Sequence, residues 1–116
     1  PQFAQQFLSG VHTNGEWSLL YVGGRFSHCV RKRPCRGEWR VQDERGGTVE
    51  WHASAPSAAL ERRCRRLCER LHQRFPTLLY CRVDVMEQDA VADEYYLMEV
   101  ELIEPELFVL DRRHEP

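Results

Sequence analysis

The chain is 116 residues long, which is enough for one hydrophobic core and too short for two. With 42% hydrophobic and 29% charged residues it is too apolar to be intrinsically disordered, and no apolar run approaches the roughly 18 residues that cross a bilayer. Sixteen basic against eighteen acidic residues give a formal charge of -2, so there is no broad positive field for nucleic acid or an anionic membrane.

Lys32 is the only lysine among the sixteen basic residues. Five cysteines, with no Cys-x-x-Cys pair and no secretory leader, read as free thiols in a reducing, cytoplasmic setting. The opening Pro1-Gln-Phe-Ala-Gln-Gln-Phe-Leu8 lacks an initiator methionine and reads as the interior of a longer polypeptide.

Residues 16 to 22 alternate, with Trp17, Leu19 and Tyr21 on one side. After Gly23-Gly24, residues 25 to 32 alternate again with Phe26, His28 and Val30, which predicts a hairpin. Residues 33 to 47 are rich in turn signals around a short extended piece at Trp39 to Gln42, with Arg40 at its centre. Thr48 to His52 reads as a further short strand. Ser54-Ala-Pro-Ser57 supplies cap and first-turn chemistry for a helix over 57–74, where Leu60, Cys64, Leu67, Cys68 and Leu71 recur at helical spacing opposite an arginine-rich face. Pro76 stops the helix. Leu78 to Met86 then reads as a strand with Leu79, Cys81, Val83 and Val85 on one face and Tyr80, Arg82, Asp84 and Met86 on the other. A polar turn leads to a strand at Tyr95 to Ile103, where strict alternation puts Tyr96, Met98, Val100 and Leu102 opposite Tyr95, Leu97, Glu99, Glu101 and Ile103. Leu107 to Leu110 is a short apolar anchor. The expected fold is α+β: a mainly antiparallel sheet of four to six strands, one long amphipathic helix (57–74) on one face, and an open face opposite.

If the last two strands pair, Asp84, Glu99 and Glu101 meet on that open face. Two glutamates at this spacing also describe the solvated side of an edge strand. Beside apolar neighbours, however, adjacent carboxylates repel unless a cation neutralises them. Oxygen-only donors favour magnesium completed by substrate phosphates, and Arg40 and Lys32 are either the complementary phosphate contacts or ordinary surface cations. Cys64 and Cys68 read as core thiols before metal ligands, and His28 as a hydrogen-bonded half-buried residue before a catalytic base.

Seven segments, in order, resemble the C-terminal part of ATP-grasp ligases: Gly15-Glu-Trp-Ser-Leu19, Phe26-Ser-His28, Lys32-x-Pro34, Gly37-Glu-Trp-Arg-Val-Gln42, Gly46-Gly47, Tyr80-x-Arg-Val-Asp84 and Leu97-Met-Glu-Val-Glu-Leu-Ile-Glu-Pro105. The likeness is to the branch near prokaryotic glutathione synthetase, the ribosomal S6 glutamate ligase and the cyclo-ligase of cycloserine biosynthesis. It implies that Asp84, Glu99 and Glu101 hold two magnesium ions on ATP, and that Arg40 lies beside the transferring phosphoryl group. It further implies that Leu97 packs beneath adenine and that the hinge with Gln5, Gln6, Phe7 and Leu8 lies along the adenine edge, while Lys32 approaches the phosphates or substrate. Many relatives carry asparagine where Glu101 stands, so this face has one more negative charge.

The implied chemistry is attack of a substrate carboxylate on the γ-phosphate and displacement of the resulting acylphosphate by an amine or similar nucleophile. On this reading, residues 1–116 are a single domain, a fragment of an ATP-grasp domain lacking the N-terminal substrate domain and the small subdomain. It would be inactive alone and able to dimerise through surface that the missing parts cover, with no nucleic-acid or membrane partner. Two other classes stay open: a non-catalytic nucleotide- or protein-binding remnant of the fold, and a metal-dependent nuclease using the three strand carboxylates with Lys32.

Overall fold

The structure is a computed structural model that describes residues 2, 4–35, 37, 46–51, 56–87 and 94–109. The element order is α1 (Gly10–Thr13), β1 (Glu16–Val22), β2 (Arg25–Arg33), β3 (Thr48–Trp51), α2 (Ala58–Arg74), β4 (Tyr80–Glu87) and β5 (Tyr95–Glu101). The strands form one antiparallel sheet in the order β3-β2-β1-β4-β5. No helix among the described residues is long and apolar enough to cross a membrane.

The β1–β2 hairpin turns on Gly23 and Gly24, at φ +55° and +75°. Both values lie in the left-handed region, which the tight two-residue turns that match strand twist require. Gly15 has a different reason to be glycine. At φ +71°, a Cβ there would lie 2.4 Å from the Lys32 carbonyl oxygen. The single turn of α1, absent from the sequence expectation, leaves carbonyls without intrahelical partners. Two arginines of β2 take them: Arg31 Nε donates to Asn14 O and Arg33 Nη1 to Thr13 O at 2.7 Å.

Helix α2 starts where Ser57 Oγ accepts from Leu60 N at 3.2 Å, and the same hydroxyl accepts from Tyr95 Oη at 3.0 Å. Its Leu60, Cys64 and Cys68 form one buried cluster with Trp17, Leu19, Tyr21, Cys29, Cys81, Val83 and Val85 of the sheet. Tyr95, Val100 and Leu102 pack against that cluster from the β5 side.

Two irregularities correct the expected alternation, and both have the same cause. A register shift between Asp84 and Val85 pairs Asp84 with Glu99 and Val85 with Leu97, leaving Met98 as the extra residue. The bulge reverses the phase of β5. Tyr95, expected beside Glu99 and Glu101, instead joins Val100 at the core, and Leu97 stands opposite core residue Val85 rather than on the face of Glu99. A second shift, between Leu20 and Tyr21, pairs Phe26 with Tyr21 and His28 with Leu20. Phe26 therefore packs at the core, edge-on to Tyr21 at 5.6 Å, while His28 and Val30 belong to the opposite face. Period-two patterning cannot show a single inserted residue.

Beyond β5 the chain turns back across that opposite face. Arg82 Nη1 donates to Glu106 O at 3.4 Å, the His28 ring meets Leu107 O at 2.9 Å, and Trp51 stands edge-on to Phe108 at 5.8 Å. Residues 105 to 108 thus pass over β4 and β2 to β3. A strap crosses the face that was expected to be open.

Candidate functional site

The sheet register arranges this face in three rows. Val49, Lys32, Glu16, Met86 and Tyr96 form the first; Trp51, Val30, Ser18, Asp84 and Glu99 the second; His28, Leu20, Arg82 and Glu101 the third. Because paired residues on adjacent strands project to the same side, four carboxylates and two cations converge on neighbouring positions.

Asp84 is the buried centre, 2% exposed. Its Oδ1 accepts from Ser18 Oγ at 2.7 Å and Arg82 Nε at 3.0 Å, and its Oδ2 accepts from Arg82 Nε at 3.2 Å, Arg82 Nη2 at 3.0 Å and Lys32 Nζ at 3.4 Å. Lys32 also pairs with Glu16 at 2.5 Å. On the other side Arg82 Nη2 approaches Glu99 Oε2 at 3.6 Å and touches Glu101 Oε2, an ion pair without hydrogen-bond geometry. The result is a continuous chain of alternating charge from Glu16 to Glu101. Its inner members are buried and its outer glutamates are more exposed, Glu99 most of all.

Electrostatics follows from burial. Burial works against the charge on Arg82, but the carboxylates of Asp84, Glu101 and Glu99 outweigh it and raise its pKa above the usual arginine value. Glu16 goes the other way for a carboxylate: loss of water raises its pKa, and the nearby Lys32 only partly opposes this.

The other expected positions divide. Lys32 lies in the chain of charge, buried between Glu16 and Asp84. Leu97 is 57% exposed, one bulge away from Glu99. Gln5, Gln6 and Phe7 are exposed and Leu8 is half-buried, with Phe7 5.8 Å from the ring of His12. Arg40 and the extended piece Trp39 to Gln42 lie outside the described residues. Three residues of the site were not singled out from the sequence: Arg82, Ser18 and Glu16. Arg82 had a signal, since it stands two before Asp84 on one strand and so must share its face. Ser18 had none, because only the non-local pairing of β1 with β4 brings it to Asp84, whereas Glu16 meets Lys32 across the β1–β2 hairpin in a register set by the extra residue Ser27.

Magnesium requires several oxygen donors with lone pairs to spare. Here both oxygens of Asp84 are engaged by Ser18, Arg82 and Lys32, and Glu101 is taken up by Arg82. Among the described residues no group of three or more His, Cys, Asp or Glu is placed to hold a metal ion. Asp84, Glu99 and Glu101 share one face, but as arranged they surround a guanidinium and do not fit the ion.

This fold has solved counterparts. The crystal structure of D-cycloserine synthetase DcsG matches 87% of this chain with a TM-score of 0.59 and 22% identity. The D-alanine–D-alanine ligase of Bacillus anthracis complexed with ATP matches 75% of it with a TM-score of 0.50 and 21% identity. Both are ATP-grasp ligases. The chain has the ATP-grasp fold. It covers 34% of the synthetase and 26% of the ligase, about a third or less of each. No family model and no curated protein matches it.

Proposed function

We propose that the chain is the C-terminal nucleotide-binding lobe of an ATP-grasp carboxylate ligase, with the three-row face as the floor of its phosphate site. One observation carries the reading: a sheet of this fold holds Asp84, Glu99 and Glu101 on a single face together with the buried cations Arg82 and Lys32.

In this proposal Arg82 and Lys32 approach the phosphates, a planar fork and a point charge respectively. Arg40 stands beside the transferring phosphoryl group, Leu97 lies beneath adenine, and Gln5, Gln6, Phe7 and Leu8 run along its edge. The parent enzyme forms an acylphosphate from a small-molecule or peptide carboxylate and passes the acyl group to an amine or similar nucleophile. The substrate domain and small subdomain lie elsewhere in the parent, so the isolated lobe binds nucleotide and does not turn over.

Calorimetric titration of ATP with divalent ion tests this. Binding that Glu99→Gln weakens far more than it weakens folding is expected; affinity unchanged by that substitution would overturn the site. The second reading, a non-catalytic remnant of the fold, is favoured by the engagement of both Asp84 oxygens within the protein. A folded chain with no metal-dependent nucleotide binding in the same titration would select it.

A further inference from the structure

The outer side of α2 carries a row of charge of one sign. Arg62, Arg66, Arg70 and Arg74 recur at every fourth residue and are exposed, while Leu60, Cys64 and Cys68 of the same helix are buried in the core. Residues four apart are neighbours on a helix surface, and like charges at that spacing destabilise it. Among the described residues none of the four has a carboxylate partner. On this helix Arg65, which lies off the row, is the arginine that pairs, with Glu61 at 3.8 Å.

Ordinary structural reasons do not account for the row. The helix dipole favours a cation in the last turn, which suits Arg74, but Arg62, Arg66 and Arg70 lie before that turn, where the effect has faded. A surface charged only for solubility mixes signs, with an acid four residues before each base. Here the positions four before Arg62, Arg66 and Arg70 hold Ala58, Arg62 and Arg66. Nor does the row suit α2 of a second copy, because a twofold contact would set arginine against arginine.

It suits an extended acidic peptide. Four residues of helix rise about 6 Å, and side chains on one face of an extended segment recur at roughly 6.5 Å. Carboxylates at alternate positions can thus meet successive arginines, each a planar fork that takes a carboxylate by two hydrogen bonds. At the end of the row Arg74 stands over the Phe75 ring at 5.8 Å, and Phe75 is 47% exposed, so an apolar contact is available where the charges stop. A nucleic acid fits less well, because its charge continues beyond the row. The chain carries a net -2, and from Val83 to Asp111 it holds carboxylates with no lysine or arginine to meet further phosphates.

We infer that the arginine row of α2 is a docking surface for an extended acidic segment of another protein, with carboxylates at alternate positions. This is independent of the nucleotide reading, since α2 packs against the sheet face opposite Asp84, Glu99 and Glu101.

Fluorescence anisotropy on the full chain tests it with a labelled Glu-Thr repeat peptide, its Gln-Thr counterpart and a single-stranded oligonucleotide of equal charge. The glutamate peptide should bind and the glutamine peptide should not, and added salt should weaken the complex because exposed pairs are screened. The variant R62Q/R66Q/R70Q/R74Q should lose at least about tenfold in affinity, the summed effect of four exposed ion pairs, while Arg65→Gln should change it less than about twofold. Glutamine is nearly as good a helix former as arginine, so the free variant should melt a few degrees higher once the repulsion along the row is relieved. An oligonucleotide bound as tightly as the glutamate peptide overturns the inference in favour of nucleic acid. Self-association in light scattering that the variant abolishes overturns it in favour of a second copy. Failure of the glutamate peptide to bind, or a lower melting temperature for the variant, returns the row to a solvated face. If the variant does not fold, the three probes decide the question on the wild type alone.

Discussion

Arg82 and Asp84, two residues apart on β4, are joined by two guanidinium nitrogens and both carboxylate oxygens, with Ser18 and Lys32 completing the carboxylate's shell from β1 and β2. The pair is local in sequence, but the shell is not. Strands β1, β2 and β4 are thus tied through a single buried side chain.

Replacing Asp84 by asparagine keeps the shape and removes the charge, leaving Arg82 and Lys32 buried against a neutral amide. A loss of about 3–5 kcal/mol is expected, the range for breaking a buried ion pair from one side. Urea denaturation should show a lower midpoint with an unchanged slope. A loss below about 1 kcal/mol would mean that the shell is solvated.

Gly15→Ala combines a left-handed backbone with a Cβ 2.4 Å from a carbonyl of β2, and backbone cannot step aside as a flexible side chain can. The cost should exceed the roughly 1 kcal/mol typical of glycine-to-alanine changes at incompatible angles. Gly23→Ala has open space around its Cβ and carries only the conformational cost, so it should be the milder of the two in thermal unfolding.

Glu16 gives a pH dependence with a definite sign. Burial raises its pKa above the ordinary 4.5, so the folded state holds this proton more tightly than the unfolded state. Its contribution to stability is greatest below pH 4.5 and declines as pH rises through the raised value. Measured against Glu16→Gln across that window, the wild type should lose ground with increasing pH. A difference that grows in its favour would reverse the assignment.

The five thiols should react in an order set by access. Cys35 is half-buried, whereas Cys29, Cys64, Cys68 and Cys81 are buried. Cys68 donates to Cys81 at 3.5 Å, which lowers the pKa of Cys81 and raises that of Cys68; burial pushes Cys64 up to about 11. A thiol-reactive disulfide reagent at pH 8 should modify Cys35 first and the other four only on unfolding. Rapid labelling of Cys81 would show that its lowered pKa outweighs its burial.

Much of the architecture was legible because it is written locally. The glycine pair between alternating runs, the capped helix with Leu60, Cys64 and Cys68 on one side, and the carboxylates two apart on β5 each follow from spacing within a few residues. What escaped was non-local or aperiodic. The bulges that reverse the phase at Tyr95 and Phe26 leave no mark in an alternating pattern. Ser18 enters the site only through pairing with β4, Glu16 meets Lys32 only in the bulged register of the β1–β2 hairpin, and the strap over the carboxylate face needs His28, Arg82 and Trp51 from three strands at once. That Arg82, Lys32 and Ser18 surround the Asp84 carboxylate was not legible either, because carboxylates advertise charge without saying which cation answers it.

The central seam of the sheet has a consequence for how the chain assembles. Strands β1 and β2 adjoin in sequence, as do β4 and β5, yet Ser18 and Asp84 at the seam are 66 residues apart. Each hairpin can close early, and the seam must then wait for a long loop to collapse. Until it does, β1 and β4 present bare, apolar margins to any other nascent copy. Joining the two halves is therefore expected to be the slow and vulnerable step in folding.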